Sequence, residues 1–261
     1  MDQCAYVIAY RRDETGERRR NLDAVLRHVE PIAFAEVIVV EVDQVATPDL
    51  PSTVNHIQLR DSGPFNKSRA MNVGFAASSA QVVAFADADL ISPIEEIELA
   101  VASVEDRFDA TTPFDRIVDL DAHATAAVLA DGRLPDLRES AEEGKRGEGE
   151  YLPFCGGLFV TRRELFESVG GFDERFIGWG GEDDALSVKY ARSGARLGIN
   201  AGRPAYHLWH DRPVARYTHA NYRANVERLH FLQQCTDDEL RGIFTADAAA
   251  MRNRAKPNSG Q

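Results

Sequence analysis

The sequence predicts an α/β protein with a doubly wound, mostly parallel sheet. Short apolar runs alternate with helical patterns through the first half of the chain, which is typical of βαβ units. With 261 residues, of which 44% are hydrophobic, the chain is large enough to bury the core of one large domain. Because such sheets bind ligands at the carboxyl ends of their strands, we expect functional side chains there.

The elements of the N-terminal half follow one another closely. Runs rich in Val and Ile predict strands, and segments with apolar residues three or four positions apart predict helices. Ser92 and Pro93 are typical of the start of a helix. The predicted strands are residues 5–10, 37–42, 54–58 and 81–86, and the predicted helices are 21–29, 67–77 and 94–104.

The C-terminal half begins with an irregular segment. Residues 131–150 are rich in glycine and charge, which predicts a mobile surface loop. Regular patterns return at Tyr151, and residues 254–261 are expected to fray. Here the predicted strands are 158–161 and 196–200, and the predicted helices are 163–169, 183–192 and 221–234.

Composition excludes several classes of protein. The formal charge of -12 and the pI near 5.1 argue against a general nucleic-acid binder, which needs a basic surface. No apolar run approaches the roughly 20 residues that span a bilayer, and the first residues do not resemble a signal peptide, so we expect a cytoplasmic protein. Three widely spaced cysteines, Cys4, Cys155 and Cys235, indicate neither a disulfide framework nor a structural zinc site.

Two acids follow the predicted strand at residues 81–86. In an extended segment the side chains of Asp87 and Asp89 lie on the same side and can reach one cation. Taken alone, the pair could equally be exposed acids that cap the next helix. His207 and His210, three residues apart, add imidazole ligands, and carboxylate with imidazole suits Mn²⁺ better than Mg²⁺. We therefore expect a shared divalent metal site.

Basic side chains are placed where an anion could bind. Lys67 and Arg69 lie at the start of a predicted helix, whose free amides favour phosphate. Arg11 and Arg12 follow the first strand and suit a diphosphate or a ribose. A solvated amphipathic helix is the alternative for residues 67–77.

The segment from Gly178 to Asp184 combines glycines, a tryptophan and three adjacent acids. Adjacent carboxylates repel one another unless a cation, a helix N-terminus or a sugar hydroxyl compensates their charge. Glycines permit backbone conformations that other residues avoid, so the segment is either a mobile lid or a plain tight turn. Chemistry explains this composition better than packing does.

Six motifs occur in the same order as in the β-1,4-galactosyltransferase family, and the chain resembles a bacterial member of it. The resemblance covers nearly the whole chain. It extends to the galactosyltransferase-like segment of polypeptide N-acetylgalactosaminyltransferases and to chondroitin polymerases. The motifs are residues 9–12 (AYRR), 65–67 (FNK) with 72–75 (NVGF), 87–91 (DADLI), 156–157 (GG), 170–173 (GGFD) and 178–184 (GWGGEDD).

The resemblance implies a GT-A fold, a UDP-sugar donor and a Mn²⁺ or Mg²⁺ cofactor. It makes Asp89 the direct metal ligand, with Asp87 supporting the site, the nucleotide and the sugar. The galactosyltransferases complete the coordination with a methionine and, three residues later, a histidine. Here these positions are His207 and His210, so imidazole replaces the soft thioether and the preference between Mn²⁺ and Mg²⁺ stays open.

The resemblance also implies roles for the other motif residues. Asp183 is the expected general base, which takes the proton of the acceptor hydroxyl, while Glu182 binds a sugar hydroxyl and Trp179 lies against the sugars. The remaining expected substrate-binding residues are Gly180, Gly181 and Asp184, although Asp184 could instead stabilise a helix N-terminus. The expected nucleotide-binding residues are Tyr10, Arg11, Arg12, Phe65 and Lys67.

The resulting prediction is a metal-dependent, inverting glycosyltransferase that moves a hexose or N-acetylhexosamine from a UDP-sugar to an acceptor hydroxyl. A retaining transferase of the polypeptide N-acetylgalactosaminyl type and a non-catalytic nucleotide-sugar-binding protein are the alternatives, and a nucleotidyltransferase is a weaker one. Within one domain we expect a nucleotide-sugar-binding half at 1–110, a variable flexible loop region at 111–150, a catalytic and acceptor half at 151–240, and a C-terminal tail at 241–261.

Overall fold

The computed structural model shows an α/β domain around a seven-stranded sheet. It describes residues 3–135, 145–146, 153–201, 203–211 and 220–254. The strands are β1 Cys4–Tyr10, β2 Glu36–Val42, β3 Val54–Leu59, β4 Val82–Asp87, β5 Leu90–Ile91, β6 Ala110–Thr112, β7 Arg116–Asp119, β8 Lys145–Arg146, β9 Leu158–Arg162, β10 Leu197–Ile199 and β11 Pro204–His207.

Helices cover both faces of this sheet. A short 3₁₀ helix, Glu30–Ile32, follows the first α-helix. The α-helices are α1 Glu17–Val29, α2 Lys67–Ala77, α3 Ile94–Asp106, α4 Ala122–Asp131, α5 Arg163–Ser168, α6 Glu182–Ser193, α7 Tyr222–Gln234 and α8 Asp237–Arg254.

The large sheet has the strand order β10-β6-β9-β4-β1-β2-β3. Strands β4, β1, β2 and β3 are mutually parallel, as the alternating pattern predicts. Strand β9 differs, because it runs antiparallel between β4 and β6. The parallel half places the ends of β1, β2 and β4 at one edge, where the binding residues were expected.

A second, four-stranded sheet has the order β5-β11-β7-β8. Strand β11 is antiparallel to β5 and parallel to β7. The small sheet is linked closely to the large one, because only two residues separate β4 from β5 in the chain. It therefore brings the second half of the chain against the end of the central strand.

The core lies on both faces of the large sheet. Along β1, Tyr6, Ile8 and Tyr10 pack on one face, while Val7 and Ala9 pack on the other. Helix α2 approaches β1 so closely that a Cβ atom on Gly74 would lie 2.3 Å from Cγ1 of Val7. Gly74 thus permits the close packing that sets the position of α2 and of its first residue.

The region 111–150, expected to be a flexible loop, contains strand β7 and helix α4. Asp121 caps α4 by accepting a hydrogen bond from the Ala124 amide, and Gly132 ends it with a φ of 73°. An alanine-rich helix shows little contrast between its faces, so periodicity does not reveal it. Residues 136–144 and 147–150 of the region lie outside the described residues.

Part of the expected C-terminal tail at 241–261 is helical, because α8 continues to Arg254. Its residues Leu240, Ala248 and Met251 are buried, and they hold the helix to the domain. Residues 255–261, expected to fray, lie outside the described residues. The three cysteines are free and buried. Within the part of the chain that the structure describes, no helix has the length and apolar character to cross a membrane.

Candidate functional site

The expected metal ligands lie together at the end of β4. Strand β11 pairs His207 opposite Leu90 of β5, which follows Asp89 directly. The Leu208 amide also donates a 2.8 Å hydrogen bond to the carbonyl of Asp89. As a result, ligand atoms of Asp89, His207 and His210 all lie within 4.8 Å of one another. One carboxylate and two imidazoles at this spacing fit a single divalent cation.

Both imidazoles are oriented by a second partner. Nδ1 of His207 lies 3.3 Å from Asp119, at the end of β7, and Nε2 lies 3.6 Å from Asp89. Nδ1 of His210 lies 2.9 Å from the carbonyl of Asp211, and Nε2 lies 3.2 Å from Asp89. With a proton on each Nδ1, each Nε2 faces Asp89 either as the N–H group of a protonated imidazole or as a lone pair that can bind a cation between them, as in metal-binding histidines.

In this cluster the carboxyl of Asp89 stays ionised and the imidazole of His210 is protonated more readily. Burial opposes the negative charge of Asp89, but the two imidazoles outweigh burial and hold the pKa of this carboxyl well below its usual range. The hydrogen bond to Asp89 raises the pKa of His210 although burial opposes the rise. The negative charge of Asp89 therefore stabilises a positive charge beside it, either a protonated imidazole or a bound cation.

A second cluster surrounds Lys67, the first residue of α2. Its Nζ atom lies 2.6 Å from Asp87 and 3.0 Å from both carboxylate oxygens of Asp183. The Lys67 side chain is 12% exposed. Burial opposes its charge, but the carboxylates of Asp183, Asp87 and Glu182 raise the pKa of Lys67 well above its ordinary value. One ammonium thus links the end of β4 to the start of α6.

The three adjacent acids form the first turn of α6, where the helix dipole favours negative charge. Gly181 is the N-cap residue of α6 and has a φ of 94°. A Cβ atom there would lie 2.8 Å from the Phe176 ring. Burial raises the pKa of Asp183 well above its usual range; Lys67 opposes the rise, and Glu182 adds to it. Burial likewise raises the pKa of Glu182.

Among the described residues, no donor reaches the buried Oε2 atom of Glu182. A buried carboxylate oxygen without a hydrogen-bond donor is costly in a folded protein. A ligand hydroxyl would supply the missing donor. The expected role of Glu182 toward a sugar stays a prediction.

The Trp179 loop, residues 177–181, lies between these clusters and α7. The Gly178 amide donates a 2.7 Å hydrogen bond to the carbonyl of Phe65, so the loop joins the segment before α2. Trp179 is 43% exposed, and its ring stacks on Tyr222 with ring centroids 6.1 Å apart. Trp179 thus presents part of its surface to solvent beside the acids of α6.

The expected nucleotide-binding arginines have partners in the structure. Arg11 donates to the carbonyls of Val42 and Gly63 at 2.6 and 2.7 Å, and its guanidinium lies 5.6 Å from the centre of the Phe65 ring. Arg12 pairs with Asp43 at 3.4 Å. Arg11 therefore joins the end of β2 to the loop before α2, and only its free surface could contact a ligand.

Tyr10, an expected nucleotide-binding residue, has its side chain in the core. Its side chain is 1% exposed and packs in the core with Tyr6 and Ile8. Alternate side chains of β1 face opposite helical layers, and Tyr10 falls on a covered face although it ends the strand. Burial raises the pKa of Tyr10 to about 12.

Three residues of the site lack a motif in the sequence. Asp119 ends a short apolar strand, as Asp87 does, and this shared pattern is the signal that could reveal it. Tyr222 and Asn225 lie in α7, and no local pattern distinguishes them from other polar helical residues. Their importance follows only from contacts with the Trp179 loop.

Comparisons with known proteins identify the family of the chain. Residues 19–170, more than half of the chain, match the model of glycosyl transferase family 2. Residues 140–224 match a model described as the N-terminal domain of galactosyltransferase. Human chondroitin sulfate N-acetylgalactosaminyltransferase 2 is 29% identical over 167 residues, which are 62% of this chain and 30% of that relative. The chain thus spans about a third of that relative's length.

Solved structures share the fold. A structure described as GalNAc-T7 with UDP, GalNAc and Mn²⁺ covers 97% of this chain and 55% of its own, with a TM-score of 0.60 and 15% identity. Glucosyl-3-phosphoglycerate synthase from Mycobacterium tuberculosis covers 90% of this chain and 81% of its own, with a TM-score of 0.54 and 17% identity. Both the expected GT-A fold and the expected resemblance to galactosyltransferases are confirmed. The chain belongs to glycosyl transferase family 2.

Proposed function

We propose that the protein is a metal-dependent, inverting glycosyltransferase that transfers a hexose or N-acetylhexosamine from a UDP-sugar to an acceptor hydroxyl. The observation that carries the proposal is the placement of two clusters at one edge of the sheet. Asp89 with the two histidines forms one cluster, and Asp183 with Lys67 forms the other. Asp87, two residues before Asp89, belongs to the second cluster and joins the two.

The donor set of the first cluster fits a divalent cation. Asp89, His207 and His210 would hold the ion, and Asp119 would orient His207 through its Nδ1 atom. Mn²⁺ accepts both carboxylate and imidazole ligands, and the two solved structures of this fold described above contain Mn²⁺. When bound, the cation would neutralise the charge that develops on the departing diphosphate.

The second cluster supplies the acid–base chemistry. Asp183 accepts the proton of the acceptor hydroxyl, and its raised pKa makes it a stronger base than an exposed carboxylate. Glu182 accepts a hydrogen bond from a sugar hydroxyl at its unpaired Oε2 atom. The Trp179 ring lies against the sugar. Attack from the face opposite the diphosphate then inverts the anomeric carbon.

A donor screen tests this function. UDP release is measured with UDP-Glc, UDP-Gal, UDP-GlcNAc and UDP-GalNAc, each with Mn²⁺ and with EDTA, in the presence of a panel of sugar acceptors. We expect release from one donor with Mn²⁺ and none with EDTA. Absence of release from every donor would favour a nucleotide-sugar-binding protein that does not turn over.

The product anomer tests the stereochemistry separately. Proton NMR of the product gives the coupling constant of the anomeric proton, and hence its configuration. Inversion supports Asp183 as the base. A product that keeps the donor configuration would overturn the inverting mechanism and indicate the retaining alternative.

A further inference from the structure

Helix α7 holds the Trp179 loop through a buried asparagine. The Nδ2 atom of Asn225 donates to the carbonyls of Ile177 and Trp179 at 3.1 and 3.2 Å. Its Oδ1 atom accepts from the Ile177 amide at 3.4 Å. Asn225 is 3% exposed, so these bonds are shielded from water. One side chain therefore fixes the backbone on both sides of Gly178.

Two further residues on the same face of α7 contact this segment. Residues three apart on a helix are neighbours, which aligns Tyr222, Asn225 and Arg228. Tyr222 stacks on the Trp179 ring with an interplanar angle of 28°. Arg228 pairs with Asp173, which is 1% exposed, at 2.7 Å. The face of α7 therefore contacts the chain from Asp173 to Trp179 through three different kinds of interaction.

The Trp179 loop connects the residues held by α7 to the acids of α6. It ends at Gly181, which is the N-cap residue of α6, and Glu182 and Asp183 follow directly. At its other end, Gly178 binds the carbonyl of Phe65, two residues before Lys67. A shift of the loop would consequently move the Trp179 ring and change the start of α6 relative to Lys67.

We infer that Tyr222 and Asn225 are positioning residues, which set the orientation of Trp179 and the α6 acids toward a carbohydrate acceptor. The inference deepens the proposed function and rests on it for the identity of the acceptor as a sugar. Neither residue belongs to the Asp89 or Lys67 cluster. Their loss affects the acceptor side and spares the binding of UDP and Mn²⁺.

The first test reads the Trp179 environment without any turnover. The chain has two tryptophans, Trp179 and Trp209, so a Trp209→Phe background leaves Trp179 as the single emitter. In this background we measure acrylamide quenching for Asn225→Ala and Tyr222→Ala. We expect the quenching constant to rise about twofold, because the ring loses the cover of Tyr222 or the backbone support of Asn225.

Val226→Ala is the matched control. Val226 lies next to Asn225 in the same helix, but its side chain is 45% exposed. It should leave the quenching constant unchanged. Unchanged quenching in Asn225→Ala and Tyr222→Ala as well would overturn the inference. Because the Tyr222 ring is partly exposed, Tyr222→Ala keeps the test available even where Asn225→Ala does not fold.

The second test separates acceptor from donor effects, in the natural Trp209 background. For the acceptor selected by the UDP-release screen, we expect kcat/KM to fall about ten- to a hundredfold in Asn225→Ala. Calorimetric affinity for UDP with Mn²⁺ should stay within about twofold, as for an interaction made on the acceptor side. Tyr222→Ala should also lower kcat/KM for the acceptor. Tyr222→Phe, which keeps the ring, should retain most of the kcat/KM of the unaltered protein.

The outcomes distinguish the two proposals. Equal losses of UDP affinity and of acceptor kcat/KM would assign α7 a general structural role and overturn the inference. No transfer by the unaltered protein, together with increased quenching in both variants, would refute the proposed function but leave the positioning of Trp179 supported.

Discussion

The Nζ atom of Lys67 lies 3.0 Å from both carboxylate oxygens of Asp183, although the two residues are 116 positions apart in the chain. Lys67 also contacts Asp87 at 2.6 Å. Three carboxylates, those of Asp87, Glu182 and Asp183, therefore depend on one ammonium. Of these side chains, Asp183 is the expected base, so its protonation is tied to Lys67.

Replacement of Lys67 by methionine tests this dependence. Lys67 favours the ionised form of Asp183, so its removal raises the pKa of that carboxyl further. Because Asp183 acts as a base only when it is ionised, the Lys67→Met variant should lose activity at acidic pH values where the unaltered protein is still active. We expect the acidic limb of the kcat/KM profile to move to higher pH by about one unit or more.

Arg69→Met is the control for this substitution. Arg69 lies in the same turn of α2 but is 45% exposed, and it pairs with Asp61 at 3.5 Å. Exposed pairs contribute little, so its pH profile should match that of the unaltered protein. An unmoved acidic limb in Lys67→Met would exclude control of Asp183 by Lys67.

The base itself is tested by Asp183→Asn. The amide keeps the shape of the side chain but cannot accept the acceptor proton, and we expect kcat to fall about 10²- to 10⁴-fold. Asp184→Asn, a neighbour in the same helical turn, should cost much less. Transfer rates measured at saturating donor check both variants. Equal activity of Asp183→Asn and the unaltered protein would refute the assigned base.

The metal site can be examined without any donor. Calorimetry with Mn²⁺ alone should show no measurable binding in Asp89→Asn or His210→Ala, because each loses one of three protein ligands. Asp119→Asn should bind about 10- to 100-fold more weakly, since Asp119 only orients His207. Asp121→Asn is the control, because asparagine can still cap α4. Unchanged affinity in all variants would place the metal elsewhere.

A separate prediction concerns stability. Burial opposes the charge of Asp173, but Arg175 and Arg228 outweigh burial and hold its pKa below the usual range. A lowered folded-state pKa means that Asp173 stabilises the fold above the carboxyl's ordinary pKa, about 3.9. This contribution is lost as the pH falls through the folded-state value.

Asp173→Asn should therefore lower the free energy of unfolding at pH 7 by about 1.5–3 kcal/mol, the range for hydrogen bonds to charged groups. Urea unfolding at pH 7 and near pH 3 checks the prediction, and the difference from the unaltered protein should shrink at the lower pH. Asp238→Asn, in an exposed pair with Arg241, is the control and should change little at either pH. A pH-independent difference for Asp173→Asn would contradict the linkage.

Much of the fold was predictable because its signals are local. The strands β1, β2 and β4 are mostly apolar runs, and α2 begins after a capping asparagine, Asn66, at the expected first residue, Lys67. Alternation of such elements predicts parallel pairing, which the structure contains. Helices α4 and α8 were not predicted, since their weak amphipathic contrast leaves only end signals or packing to define them.

For the site, too, local motifs point to individual residues but not to their partners. The sequence alone determined which residues are proposed to carry chemistry, because Asp87, Asp89, His207, His210 and the α6 acids lie in short-range motifs. Only the tertiary structure decided how they are partnered. Asp119 meets His207 through pairing of β7 with β11, and Lys67 meets Asp183 because α2 and α6 begin at the same edge of the sheet. Such contacts depend on strand order and helix packing, which no local pattern encodes.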